Sequence, residues 1–406
     1  MNIRHLIDII IQRDDVVDNF IIGLTGAFGS GCSFIADNFI SKKFEFIKYS
    51  LSDILKEEYI KGNVSEYSRH ELQDFGNELR KTNGPDYLAK ALLEKFRIDG
   101  WDNSQNIVID SFRNPAEVEY VRQHCANFFL VAIFADKDVR WNRVANNYKN
   151  KYDQFNEDEN KDQGANEPDY GQKVSNCFFQ ADLILSNNEY INIEYPNTAY
   201  KEMFGKINNY LTAFKNPESS HPTISETLMA IAYTNGRRSK CSKRKVGAII
   251  VDTYNNILSS GFNDVPIDFD DCIGKYGRCY RDYFRSNLIA EYATMVNGDT
   301  ELAKKIVDKT KVLELCRALH AEENSILNLR SSSRTDFTDC TLYATTYPCN
   351  LCANKIVQTG IKNVVYFEPY PVAQAKEIFR EGGVIAIPFE GVTFRSFFKA
   401  FTFETD

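Results

Sequence analysis

The chain of 406 residues is 43% hydrophobic, 13% aromatic and 26% charged, which supplies two or three packed domains and excludes a disordered or fibrous protein. Its formal charge of −8 is split unevenly, net −9 before residue 220 and +1 after it, and argues against a protein that coats nucleic acid or an anionic membrane. Ten cysteines in a chain this long suit metal ligands or free thiols in a reducing cytosol better than a disulfide scaffold.

The segment from Met1 to Gln12 is apolar but broken by Asp8 and followed by Asp14 and Asp15, so it does not read as a signal peptide. No apolar run reaches the roughly 18 residues of a membrane span, and a cytoplasmic protein with no membrane partner is expected. Apolar runs at 20–24, 107–109, 128–134 and 183–185 alternate with longer helical segments, the order of βα units around a parallel sheet. The first run leads into Gly23-Leu-Thr-Gly26-Ala-Phe-Gly29-Ser30-Gly31-Cys32-Ser33. From Gly26 to Ser33 this fits the phosphate-loop frame G-x-x-x-x-G-K-[ST], except that Cys32 stands where the lysine belongs.

Gly26, Gly29, Ser30, Gly31, Cys32 and Ser33 are therefore expected to cradle the phosphates of a nucleotide with backbone N–H groups, Ser33 being placed to meet Mg²⁺. Phosphoryl transfer is not expected, because the cation that follows charge onto the β and γ phosphates is missing. Val108-Ile-Asp110 ends a strand with an acid, Arg113 and Glu117 follow it, and Arg140 with Arg143 precede a polar stretch at 150–170 that reads as a mobile, lid-like loop. Over about residues 18 to 215 these pieces resemble P-loop nucleotide kinases.

Phe214 to Pro222 carries two prolines and little to bury, and Thr223-Ile-Ser-Glu226 has the spacing of a capping box. The expected division is a first domain at 1–215, a linker at 216–222 and a second domain at 223–406. In the second domain, strands are expected at 246–251, 257–261, 342–345 and 364–367, the first two as a hairpin across Asp252 to Asn256, with helices starting near Thr223, His320 and Pro348.

Histidine is scarce, five in the chain, and only His320 lies beyond the linker. It opens His320-Ala-Glu322, and Pro348-Cys349-Asn-Leu-Cys352 follows; H-x-E before P-C-x-x-C is the signature of the zinc deaminases. In a regular helix His320 and Glu322 would point about 200° apart. His320 is therefore placed at the helix entrance, where both side chains can face one pocket, and Pro348 at the first helical position, where it fixes Cys349 and Cys352 on one face. His320, Cys349 and Cys352 are expected to hold Zn²⁺ with one position left for water, and Glu322 to act as the acid/base catalyst. A lone C-x-x-C would equally suit a structural zinc half-site or a redox pair; the two motifs together favour catalysis.

Residues 223 to about 400 resemble the deoxycytidylate deaminase family, through Arg238-Ser, Val246-Gly-Ala-Ile-Ile-Val251, Gly261-Phe-Asn263, His320-Ala-Glu-Glu-Asn, Tyr347-Pro-Cys-Asn-Leu-Cys352-Ala and Gly360-Ile-Lys. The resemblance implies a mixed sheet flanked by helices, hydrolytic deamination of a deoxycytidine nucleotide, a homo-oligomer, and Asn263 at the sugar. Arg237 to Lys245 holds six basic residues in nine; Arg237, Lys243 and Lys245 are expected at the substrate phosphates, and so much charge suits a triphosphate. Cys272, Cys279 and Cys316 lie in a long intervening segment and read as buried thiols, with a second metal as the alternative.

A kinase-like domain lacking its lysine, fused to such a deaminase, resembles the bacterial antiviral dCTP deaminases. That resemblance implies conversion of dCTP and dCMP to uracil nucleotides, starving phage DNA synthesis. The front domain would act as a regulator that binds a nucleotide or relays an inhibitor, an RNA or another ligand. A housekeeping dCMP deaminase fused to a working kinase, and a deaminase of bases within nucleic acid, stay open as alternatives.

Overall fold

The computed structural model describes residues 19–61, 67–101, 105–164, 167–309, 316–329, 336–369 and 373–401. The Met1 to Gln12 segment lies outside them. No helix among the described residues is long and apolar enough to cross a membrane.

The chain forms two compact units, Met1–His221 with Glu390–Asp406, and Pro222–Phe389. The junction near residue 222 falls in the proline-bearing linker, where the 3₁₀ turn Pro217–Ser219 buries no side chain. The second junction corrects the expectation that 223–406 is one domain, because residues from Glu390 onward complete the first unit. Their strand is only two residues long, Gly391–Val392, too short to show periodicity.

The first unit is an α/β layer structure. Its strands are β1 (Ile21–Thr25), β2 (Ile47–Ser50), β3 (Ile107–Phe112), β4 (Phe128–Phe134) and β5 (Leu183–Ser186), all parallel, and the late β11 (Gly391–Val392) pairs antiparallel with β5. The order is β11-β5-β4-β1-β3-β2, which puts β1 in the middle, so the glycine loop leaves the sheet between its two halves. Ile22, Leu24, Val108, Val131 and Leu185 are buried together with Val392 and Phe401. Each such side chain contributes about 1.5–3 kcal/mol. Strand β2 escapes sequence reading because three of its four residues are at least partly exposed.

The polar stretch at 150–170 is not a loop: Tyr152–Gln163 is a helix that buries Phe155, Asp158, Glu159 and Asp162. Those carboxylates are tolerated inside because cations and a phenol meet them. Asp162 pairs with Arg113, Glu159 with Arg140 and, at 2.6 Å, with Lys137, and Tyr148 donates to Asp158 at 2.9 Å. The acidic composition that suggested mobility is the complement of buried arginines.

The second unit has a mixed sheet in the order β10-β9-β8-β6-β7. Strands β6 (Gly247–Val251) and β7 (Ile257–Phe262) form the antiparallel hairpin, β6 also pairs antiparallel with β8 (Thr341–Thr346), and β8, β9 (Asn363–Glu368) and β10 (Ile385–Pro388) run parallel. The Ile224–Gly236 helix begins with the Thr223/Glu226 capping box. At Gly261 a Cβ would strike the Ala321 carbonyl and the Ser325 amide, so glycine lets the Ala321–Asn328 helix lie directly on β7. Asn324 and Asn328 donate to the Phe262 and Ser260 carbonyls at 3.0 and 2.8 Å, and Ser259 donates to that of Ser325 at 2.9 Å. The helix carrying the H-x-E motif is thereby fixed on the sheet.

Candidate active site

His320 is the N-cap of the Ala321–Asn328 helix, with extended backbone at φ −74° and ψ 157°. Because it is not yet wound into the helix, its ring and the Glu322 side chain share one pocket. Cys349 caps the Asn350–Thr359 helix in the same way, at φ −72° and ψ 171°. Pro348 therefore stands outside the helix rather than at its first position. The N-cap and the third helical residue face each other in any capped helix, so Cys349 and Cys352 still converge.

The ring Nδ1 of His320 lies 3.3 Å from the sulfur of Cys349 and 3.3 Å from that of Cys352. The three donor atoms lie within 4.8 Å of one another, a grouping found nowhere else among the described residues. Hydrogen bonding from Cys352 holds the Cys349 thiol down to about 4, helped by His320, whereas Cys352 beside that thiolate is pushed up. Two sulfurs this close cannot both ionise unaided, and a divalent cation among them removes the conflict. One imidazole and two thiolates around a shared point are the donor set of a zinc site with an open fourth position.

Glu322 is buried, and burial raises its carboxyl above the ordinary carboxylate range. Its Oε2 lies 3.7 Å from the Cys352 sulfur. Such a carboxyl, close to the donor cluster and shielded from water, suits proton transfer near neutrality. One residue on, Glu323 accepts from the His320 backbone N–H at 3.4 Å and pairs with Lys355 at 2.6 Å. This clamp joins the two ligand-bearing helices, and the motif gives no sign of it because the partners are far apart in sequence.

A cavity of about 260 Å³ opens over the cluster, lined by His320, Glu322, Cys349, Asn263, Lys243 and Tyr347. Asn263 spends much of its carboxamide on the chain itself: Oδ1 accepts from Val246 N–H at 2.7 Å and Nδ2 donates to the Arg244 carbonyl at 2.9 Å. It shapes the basic loop while facing the cavity. Of the three expected phosphate residues, only Lys243 reaches this wall. Lys245 turns back to donate to the Ser239 carbonyl at 2.6 Å, and Arg237 follows the Ile224–Gly236 helix as its C-cap. Arg244 and Arg281 line the cavity instead. Arg281 lies far from any motif, and only the Cys279-Tyr-Arg281 cluster of side chains could have marked it.

In the first unit, Gly29 and Gly31 adopt φ +83° and +97°, which only glycine takes without strain, so the loop after β1 can curl. Ser33 donates to Asp110 at 2.5 Å, and Asn187 holds the Ser30 carbonyl at 2.7 Å. Burial, with the Asp110 carboxylate nearby, pushes the Cys32 thiol up to about 12, so that position carries no charge at neutral pH. The loop borders a cavity of about 1110 Å³ that also receives Arg69, Arg113 and Arg143. Arg69 lies 3.8 Å over the Phe28 ring, and its Nε has no hydrogen-bond partner among the described residues.

Residues 222–368 match the family described as the cytidine and deoxycytidylate deaminase zinc-binding region, and residues 22–164 match an AAA domain. The mouse deoxycytidylate deaminase is 31% identical over 177 residues, 42% of this chain and 78% of the mouse protein. That of Mycobacterium phage D29 is 31% identical over 147 residues, 36% of this chain and 96% of the phage protein. The crystal structure of the cyanophage S-TIM5 dCMP deaminase with dCMP and dUMP aligns at 25% identity, with a TM-score of 0.30, over 42% of this chain and 99% of that one.

Proposed function

The chain belongs to the deoxycytidylate deaminase family, and from that premise we propose that it deaminates free deoxycytidine nucleotides, dCTP and dCMP, to deoxyuridine nucleotides with release of ammonia. The observation that carries this reading is the buried Glu322 carboxyl beside the converging His320, Cys349 and Cys352. These three would hold zinc, which supplies Lewis-acid activation of water near neutral pH. Glu322 takes the proton of the attacking water and passes it to ring nitrogen N3 as the oxygen bonds to C4. It then carries a second proton to the exocyclic nitrogen, the C4–N bond breaks, and ammonia departs to leave the uracil carbonyl. Asn263 and Tyr347 line the space in which the nucleotide is held.

Three cations, Lys243, Arg244 and Arg281, line the same cavity, more than a single phosphate requires, which supports dCTP as a substrate. Lys243 is braced by Asp282 at 2.5 Å and Arg244 by Glu368. The first unit acts as a regulator: its loop and arginines bind nucleotide phosphates, with Mg²⁺ at Ser33 and Asp110, while the neutral Cys32 leaves phosphoryl transfer without its cation. Its role in the cell is depletion of dCTP in antiviral defence, held in check by an inhibitor until infection, with the enzyme working as a homo-oligomer in the cytoplasm.

The test is to incubate the purified protein with dCMP, dCTP, CMP and CTP, with and without a chelator, and to separate products by chromatography. Uracil deoxynucleotides should form, and both chelation and Glu322→Gln should abolish them. If freshly zinc-loaded wild type yields no uracil nucleotide from any of the four, the proposed chemistry is wrong.

A further inference from the structure

Four thiols outside the catalytic cluster meet at one place. Cys241, Cys272, Cys279 and Cys316 line a single cavity of about 30 Å³, room for one ion, and none is in a disulfide. They come from four separate points of the chain: the basic loop, the first residue of the Cys272–Tyr276 helix, the N-cap of the Tyr280–Met295 helix, and the approach to His320. Lys240, Arg281 and Arg317 line the same cavity.

Among its described residues, the stretch these cysteines anchor buries little of its own. The Cys272–Tyr276 and Tyr280–Met295 helices bury no side chain, and the Thr300–Asp308 helix buries only Ala303 and Val307. Elements that bury so little apolar surface do not hold one arrangement by packing alone, and a covalent or metal staple is the usual remedy.

We propose that Cys241, Cys272, Cys279 and Cys316 form a second metal site, a closed four-thiolate site that takes zinc and pins the 264–316 segment to the rest of its unit. Soft sulfur donors select zinc among the common divalent cations, and four protein ligands leave no position for water, so the site is structural. Binding releases about four protons and leaves a net charge of about −2 on the centre, which Lys240 and Arg317 offset. The four sulfurs are spread wider than the His320 cluster, whose donors alone among the described residues lie within 4.8 Å of one another. They close on the ion as it binds, so metal binding and ordering of the segment are one event. Cys241, Cys279, Cys316 and Arg281 also line the catalytic cavity, so this staple positions part of the substrate wall. The site stands or falls independently of which nucleotide is deaminated.

The test is elemental analysis of the full-length protein purified under reducing conditions, with zinc as the only added metal. Wild type should retain about two zinc ions per chain. Cys349→Ser with Cys352→Ser should retain about one, and Cys272→Ser with Cys279→Ser about one, the latter also gaining protease cleavage within 264–309. Wild type with about one zinc, all of it lost in the Cys349/Cys352 variant, would overturn the proposal. So would a native mass showing hydrogens lost to disulfides among the four. The Cys349/Cys352 variant decides the matter even where the Cys272/Cys279 variant fails to fold, because it leaves the proposed site untouched.

Discussion

Replacing Arg281 by glutamine should separate dCTP from dCMP. The two neighbouring cations already share their charge with carboxylates, Lys243 with Asp282 and Arg244 with Glu368, whereas Arg281 has no ion-pair partner among the described residues. It is the cation most available to phosphates beyond the first. A hydrogen bond from a charged donor to phosphate contributes about 1.5–3 kcal/mol. Arg281 is only half-buried, so solvent screening favours the lower half of that range, about 1.5–2 kcal/mol. At about 1.4 kcal/mol per decade this is a 10- to 30-fold fall in kcat/KM for dCTP. For dCMP the fall should be under about threefold, because a single phosphate is served by Lys243 and Arg244. The assay is steady-state kinetics on both nucleotides at fixed ionic strength. An equal loss on the two substrates, or none on either, would refute the assignment of Arg281 to the outer phosphates.

Gly261→Ala should push the Ala321–Asn328 helix off β7, since the added methyl meets backbone rather than a yielding side chain. The expected cost is about 1–3 kcal/mol in stability, with deaminase activity falling further than stability as followed by thermal melts and turnover together. Glu117→Gln should destabilise the first unit by about 3–5 kcal/mol, because Glu117 is fully buried and pairs at 2.8 Å with an Arg80 that is itself buried. Urea unfolding read from that unit should shift while zinc content holds. Ser33→Ala should weaken Mg²⁺-dependent nucleotide binding to the first unit, measured by calorimetry, without changing the zinc content of the second; unchanged binding would count against Ser33 as a magnesium contact.

The metal motif could be read in sequence because its geometry is local. The 200° conflict between His320 and Glu322 has one simple resolution, a histidine at the helix entrance, and His320 is the N-cap. Pro348 stands two residues before the first helical position expected for it, since proline is tolerated in extended and turn backbone as well as at a helix start. The basic run could not be resolved into roles, because neighbouring cations on a loop point in different directions: Lys243 reaches the cavity while Lys245 folds back onto Ser239. Arg281 and the Glu323–Lys355 clamp depend on long-range folding that no spacing reveals. The helix at Tyr152–Gln163 was hidden by its own composition, since its buried carboxylates make sense only once Arg113 and Arg140 are seen opposite them.

The return of β11 to the first sheet makes the zinc-binding unit an insertion, bounded at both ends by the domain that hosts it. A ribosome releases the glycine loop early, but the sheet behind that loop lacks its last strand until every residue of the inserted unit has been made. Through that interval the outer edge of β5 is open, and the core places later filled by Val392 and Phe401 are uncovered. Maturation of the nucleotide-binding half is therefore timed by completion of the catalytic half. A fragment ending at His221 should express as an aggregation-prone protein, however complete its phosphate loop.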